Sequence, residues 1–299
     1  MLEPVPTSPA TATVPTVNPA DLARLTETVQ VEVRLCGLPT FRSVASHVVS
    51  AASGPESDVK RIALMVGGDP ALAADVLFLA NSSLFGFPAR IGSLRHAVAV
   101  LGINRVRDLA AAVAMRGLVR EVGPLIRPCW RHSIACAAIA EAVAPALGCS
   151  SEHAFTAGLL HDIGRFGFLK SYTKETERIL TTTFSEADDV IQAEREALSM
   201  DHGAAGAYLI EYWVLPTWFD EICRRHHFPL APSDSDLLKT LKVACRLATA
   251  MGFSSAQFEA PPAYDDVVES LSQVFQGLRF PAMEAMAAKI EERLEILDN

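Results

Sequence analysis

Gly158-Leu159-Leu160-His161-Asp162-Ile163-Gly164-Arg165 sets an imidazole and a carboxylate side by side behind an apolar run that includes Phe155. Both groups resist burial, so a segment that carries them beside core-type residues must give them partners. A nitrogen and an oxygen ligand delivered together from a helix end are what a divalent-metal site needs. A plainer role competes: a helix C-terminus, with His161 on the last carbonyls and Gly164 past the cap. The dipeptide alone does not decide, because short motifs match by chance.

The other histidines come in an ordered series. His132 opens an Ala/Ile-rich helical stretch that runs to Val143. His202 follows Asp201 at the start of the segment ending at Trp213, and His226-His227 close the segment that begins at Pro216. Each lies on an expected helix or at its end, so packing can bring them to one point. Singly, each is explained by exposure or capping; the ordered set is harder to explain that way.

With Trp213-Val-Leu-Pro216 between the last two members, this order resembles the HD superfamily of metal-dependent phosphohydrolases. It resembles more closely the HDOD domain, the HD-related output domain of bacterial signalling proteins. Gly37-Leu38-Pro39-Thr40-Phe41, Asp69-Pro70-Ala71-Leu72, Leu79-Ala80-Asn81-Ser82, Ile91-Gly92-Ser93-Leu94-Arg95-His96-Ala97-Val98 and Leu101-Gly102 are similar to that family's pattern as well. The similarity runs from about Leu38 to about Ala250. It implies an all-α fold of two packed helical subdomains and a metal-ligand set of His132, His161, Asp162, His202, His226 and His227, vestigial or structural. The ion implied is divalent: Fe, Mn, Zn or Mg.

The chain departs from the catalytic HD pattern. Catalytic relatives end their ligand set with an Asp on a late helix, where this chain has Leu241-Lys-Val-Ala244-Cys245-Arg246. A thiol binds zinc but does not bridge two ions and hold a water as a carboxylate does. The Gly-Tyr-Pro signature of the cyclic-dinucleotide-cleaving branch is missing too. Arg165 stands where those enzymes commonly carry Lys, which keeps the charge with a different hydrogen-bonding geometry. Val66-Gly67-Gly68-Asp69 is no diguanylate cyclase signature, because its Asp starts a helix.

A formal net charge of -9 over 299 residues argues against nonspecific binding to nucleic acid. Arg105 with Arg107, and Arg224 with Arg225, are expected on solvated faces or at helix C-termini. Cys36, Cys129, Cys136, Cys149, Cys223 and Cys245 are scattered without a Cys-x-x-Cys pair, as reduced thiols of a cytosolic protein would be. No apolar run spans a bilayer and no secretory signal opens the chain, so a cytoplasmic location away from membranes is expected.

Pro4, Pro6, Pro9 and Pro15 predict a disordered tail over 1–17. Helical signals follow throughout: Asn18-Pro19, Asp69-Pro70 and Ser93 as starts, Asp201 as a cap, Ser233 or Asp234 before a helix over 236–251. Breakers cluster over 120–128, dividing an N-terminal subdomain (18–122) from an HD-like one (123–299) that ends in amphipathic helices near 265–278 and 282–297. The apolar tip Leu84, Phe85 and Phe87 is expected to plug the joint between the halves, with partner binding as the other option.

Three functions remain open. The first, implied by the resemblance, is a regulatory module that contacts signalling proteins without robust catalysis. The second is a metal-dependent phosphohydrolase acting on a nucleotide or cyclic dinucleotide. There, metal-bound water attacks phosphorus, Asp162 holds the metal and Arg165 stabilises phosphate charge, with Glu141, Glu152 or Asp201 as substitutes for the missing carboxylate. The third is a sensor whose ligand, a nucleotide for instance, sits between the halves.

Overall fold

Side-chain caps mark where the helices begin. In the computed structural model, which describes residues 19–36, 43–55, 57–81, 91–119, 125–213, 215–275 and 279–298, Ser93 Oγ accepts from the His96 amide at 3.2 Å. Asp69 accepts from Leu72 at 3.2 Å and Asp201 from Ala204 at 2.8 Å. Each bond satisfies an amide that the first helical turn leaves unpaired. The expected tail (1–17), the tip Leu84, Phe85 and Phe87, the break at 120–124 and the Glu152 side chain lie outside the described residues.

The first helices are α1 (Pro19–Cys36), α2 (Ser43–Ala52), α3 (Val59–Val66), α4 (Pro70–Ala80), α5 (Leu94–Leu101) and α6 (Ile103–Val119). Then come α7 (Ile126–Val143), α8 (Ser151–Leu160), α9 (Ile163–Ser171), α10 (Thr173–Thr181), α11 (Ala187–Leu198) and α12 (His202–Tyr212). The last are α13 (Trp218–Arg225), α14 (Asp236–Ala250), α15 (Tyr264–Val274) and α16 (Met283–Asp298). Two dipeptide strands, β1 (Thr183–Phe184) and β2 (Gln257–Phe258), pair in parallel. Two residues a side make no layer, so the class is all-α.

Helices α2 to α6 pack on one another, while α7 sits at the centre of the rest, against α8, α14 and α16. Its residues Ser133 to Ala140 are buried all round, as a helix enclosed by other helices requires. Small residues set the spacing: a Cβ on Gly158 would lie 2.6 Å from the Ala137 Cα, so α7 and α8 meet backbone to backbone. The N-terminal α1 packs on α9, α11 and α12, far along the chain, and Ser46 of α2 donates to the Trp213 carbonyl at 2.7 Å.

Four expectations change. Arg107 is buried, bonded to Asp108 and Thr156, because α8 covers that face of α6; Arg224 and Arg225 do lie in partly exposed i,i+4 pairs with Asp220 and Glu221. His132 lies in the middle of α7 rather than at its start, since the helix begins at Ile126. Ser235 caps α14, while Asp234 turns inward to pair with Lys242 and Arg225. Gly164 is no C-terminal residue: a Cβ there would fall 2.0 Å from the His202 carbonyl oxygen and 2.4 Å from the Gly206 nitrogen. It is glycine because α9 and α12 approach that closely, and the contact carries His161-Asp162 up to His202.

Candidate functional site

Four helix ends and two helix interiors deliver the site. His132 and Cys136 stand one turn apart on α7, and therefore on one face. His161 and Asp162 occupy the junction of α8 and α9, Arg165 the first turn of α9, and His202 the start of α12. His226 and His227 follow α13, and Cys245 lies on α14. The structure thus brings His132, His161, Asp162, His202, His226 and His227 together, although 95 positions separate the first from the last. All but His227 are buried.

Each imidazole is aimed by its second nitrogen. His161 Nδ1 donates to the Gly158 carbonyl at 2.7 Å, so the helix-end role and the site role belong to one side chain. His132 Nδ1 donates to the Phe253 carbonyl at 2.6 Å, and His226 Nδ1 to that of Cys223 at 2.8 Å. His202 Nδ1 bonds Glu194 Oε2 at 2.6 Å. In the neutral rings these bonds assign the tautomer and leave Nε2 of His132, His161, His202 and His226 facing the interior.

The lone pairs converge on Asp162. Its Oδ1 lies 3.2 Å from His202 Nε2 and 3.3 Å from His226 Nε2. The His202 Nε2 is in turn 3.3 Å from that of His226 and 2.9 Å from that of His227. Neither Asp162 oxygen has a hydrogen bond, and Arg165 Nε and Nη1 and Glu194 Oε1 are buried without one too. Buried polar atoms crowded together with these bonds unmade leave room in the bonding pattern for a cation among them. Asp162, His202, His226 and His227, whose ligand atoms all lie within 4.8 Å of one another, fit a divalent ion by this test.

Charge follows from burial and pairing. Burial opposes ionisation of Asp162, but Arg165, His161 and His202 outweigh it and hold the carboxyl well below its usual range. Glu194 is lowered in the same way, burial being overcome by His202 and Arg165. Burial disfavours a charged His161, yet the nearby Cys245 and Asp162 push it up to about 9. The Cys136 hydrogen bond, against burial and together with His161, drives Cys245 well below the usual thiol value. Burial pulls His226 and His227 down.

The proposed substitutes for a lost carboxylate are elsewhere. Glu141 pairs with Arg293 and Lys289, and Asp201 caps α12 and pairs with Arg195. Sequence reasoning missed Glu194, which bonds both the amide and Nδ1 of His202 and lies 3.4 Å from Arg165 Nη1. Its signal was present: Glu194 falls within the buried stripe Val190, Ile191 and Leu198 of α11, where a carboxylate needs a partner. A cavity of about 600 Å³ opens beside the cluster, lined in part by His132, Arg165, His227, Cys245 and Phe258. Among the described residues no helix is long and apolar enough to cross a membrane.

An uncharacterised protein of Treponema pallidum (strain Nichols) is 26% identical over 224 residues, which is 71% of this chain and 42% of that protein. The chain therefore spans less than half the length of that relative. A structure named "Putative signal transduction protein", from Marinobacter aquaeolei VT8, superposes with a TM-score of 0.69 at 20% identity, covering 93% of this chain and 66% of that one. Another, a "Putative phosphohydrolase" from Shewanella amazonensis SB2B, gives 0.65 at 24%, covering 90% and 97%. At such identities the superpositions speak for the fold alone. The HDOD domain model matches residues 38–229, from the end of α1 through His226-His227, and the chain belongs to the HDOD domain family.

Proposed function

We propose that this chain is a regulatory module of signal transduction that acts by contact with signalling proteins and lacks robust phosphohydrolase activity. Membership of the HDOD domain family and the name of the Marinobacter neighbour support the regulatory part. One observation carries the non-catalytic part: Cys245 lies beside His132, Cys136 and His161, so thiols complete that side of the cluster. Asp162 is the one carboxylate among the grouped ligands, and its second oxygen already faces Arg165 Nε at 3.3 Å. A two-ion hydrolase clamps the attacking and leaving oxygens between its metals, which calls for carboxylates that bridge them and an open coordination position.

An ion held by Asp162, His202, His226 and His227 would supply Lewis acidity, and it would also fix four helix ends in register. In the regulatory reading the second effect matters. His161, His202 and His226 orient α8, α12 and the end of α13 around Asp162, so filling or emptying the centre alters how these helices present their outer faces. A nucleotide is a candidate ligand for the adjoining cavity.

The experiment is a turnover assay with cyclic dinucleotides and a generic phosphodiester, with Mn²⁺ or Fe²⁺ added. Wild type, Asp162→Ala and Cys245→Asp are compared, with the fold checked by circular dichroism. Negligible, equal rates for wild type and Asp162→Ala are expected. Robust wild-type turnover that vanishes in Asp162→Ala would make the chain a phosphohydrolase, as the Shewanella neighbour is named.

A further inference from the structure

His132 and His161 face each other with Nε2 atoms 3.3 Å apart. Both rings spend their Nδ1 protons on backbone carbonyls, of Phe253 and Gly158, so two lone pairs point at one another. Two acceptors in that arrangement repel unless a cation or a proton lies between them. Around the same point Cys136 Sγ is 3.6 Å from His132 Nε2 and 3.8 Å from Cys245 Sγ. The four ligand atoms all lie within 4.8 Å of one another.

Those three spacings match three of the six edges of a tetrahedron. Zinc bonds sulfur at about 2.3 Å and imidazole nitrogen at about 2.0–2.1 Å, which sets ligand atoms about 3.8 Å apart for two sulfurs, about 3.6 Å for sulfur and nitrogen, and about 3.3 Å for two nitrogens. We infer that His132, Cys136, His161 and Cys245 form a closed, four-ligand Cys2His2 site for Zn²⁺, separate from the Asp162, His202, His226 and His227 group beside it. The site changes the metal chemistry of this side of the cluster. Two thiolates select a borderline-soft ion such as Zn²⁺ over Mg²⁺ or Mn²⁺. With all four positions filled by protein, no position remains for water, so its role is structural.

The supporting shell is in place. The carbonyls of Gly158 and Phe253 fix both imidazoles, as second-shell acceptors do at zinc sites. The ligands come from α7, the end of α8, and α14, three helices that pack directly on one another, so the ion would tie the centre of the fold. Cys245 lines the cavity beside the cluster and gives an ion a way in. The inference holds whether the protein is regulatory or hydrolytic, and its test does not read turnover.

The test reads the metal directly. Protein purified under reducing conditions is expected to hold zinc that excess Mg²⁺ or Mn²⁺ does not displace. Its zinc K-edge absorption should show sulfur scatterers at about 2.3 Å. After exchange for Co²⁺, wild type and His202→Ala should both show thiolate-to-cobalt charge transfer in the near ultraviolet. That band should weaken in Cys136→Ser and in Cys245→Ser and disappear in the double variant. Zinc surrounded by nitrogen and oxygen alone, cobalt bound without the thiolate band, or no bound metal in wild type would each overturn the inference. The absorption-edge measurement on wild type stands even if a cysteine variant misfolds.

Discussion

Two buried polar clusters adjoin α8, and they handle burial in opposite ways. At the α6 face, Arg107, Asp108 and Thr156 close on themselves: Asp108 Oδ1 accepts from Arg107 Nε and Nη2 and from Thr156 Oγ1, at 3.2, 3.0 and 2.6 Å. At the α9 end, Asp162, Arg165 and Glu194 keep atoms without hydrogen bonds, and four imidazoles turn lone pairs toward the same interior. The first cluster is complete as protein. The second leaves polar atoms that its own protein partners do not satisfy, as a binding centre does and a closed structural cluster does not.

The largest effect should come from opening the second cluster at its hidden support. Glu194→Ala removes the acceptor for the His202 amide and ring and leaves Arg165 facing Asp162 alone. Breaking one partner of a buried charged set costs about 3–5 kcal/mol. The expected outcome is a fall of that size in chemical denaturation at unchanged m-value; a loss near that of a surface pair would mean that the two clusters do not differ as argued.

The closed cluster has its own signature in pH. Burial, opposed by Arg107 and Thr156, raises Asp108 to about 6 from an ordinary 3.8. The folded carboxyl then holds its proton to higher pH than the unfolded one, so its contribution is fully present below the unfolded value and is lost as pH rises through about 6. By linkage the loss at neutral pH is about 3 kcal/mol. Asp162 and Glu194 are lowered, so theirs has the opposite sign, present above the usual carboxylate range and lost as pH falls. Asp108→Asn is expected to be more stable relative to wild type at pH 7 than at pH 4. A stability difference independent of pH would refute the assignment.

A smaller effect tests the frame that joins the site. In Gly164→Ala the methyl meets the His202 carbonyl, so α9 and α12 must part. Overpacking of this kind costs about 1–3 kcal/mol. Thermal unfolding should report that loss, and metal content should fall with it, since the same shift pulls Asp162 from His202. Retained metal at reduced stability would show that the centre tolerates the displacement.

Much of this protein was legible along its sequence. Asp69, Ser93 and Asp201 mark helix starts because capping is local, and the ordered histidines with His161-Asp162 indicated the centre and its family. Arg107 and Glu194 were not legible in the same way. Arg107 looks like any solvated cation until α8 covers it, and Glu194 betrays itself only by sitting in an apolar stripe. Cys136 reads as a scattered thiol along the chain, because Cys-x-x-Cys is a loop spacing while His132 and Cys136 sit at a helical one. Local chemistry, then, was determined by the sequence alone: which residues cap, which carry ligand atoms, and that the chain is helical. Tertiary structure decided which of those atoms face each other, how α9 meets α12 at Gly164, and which buried charges close on themselves, because each depends on contacts between segments far apart in the chain.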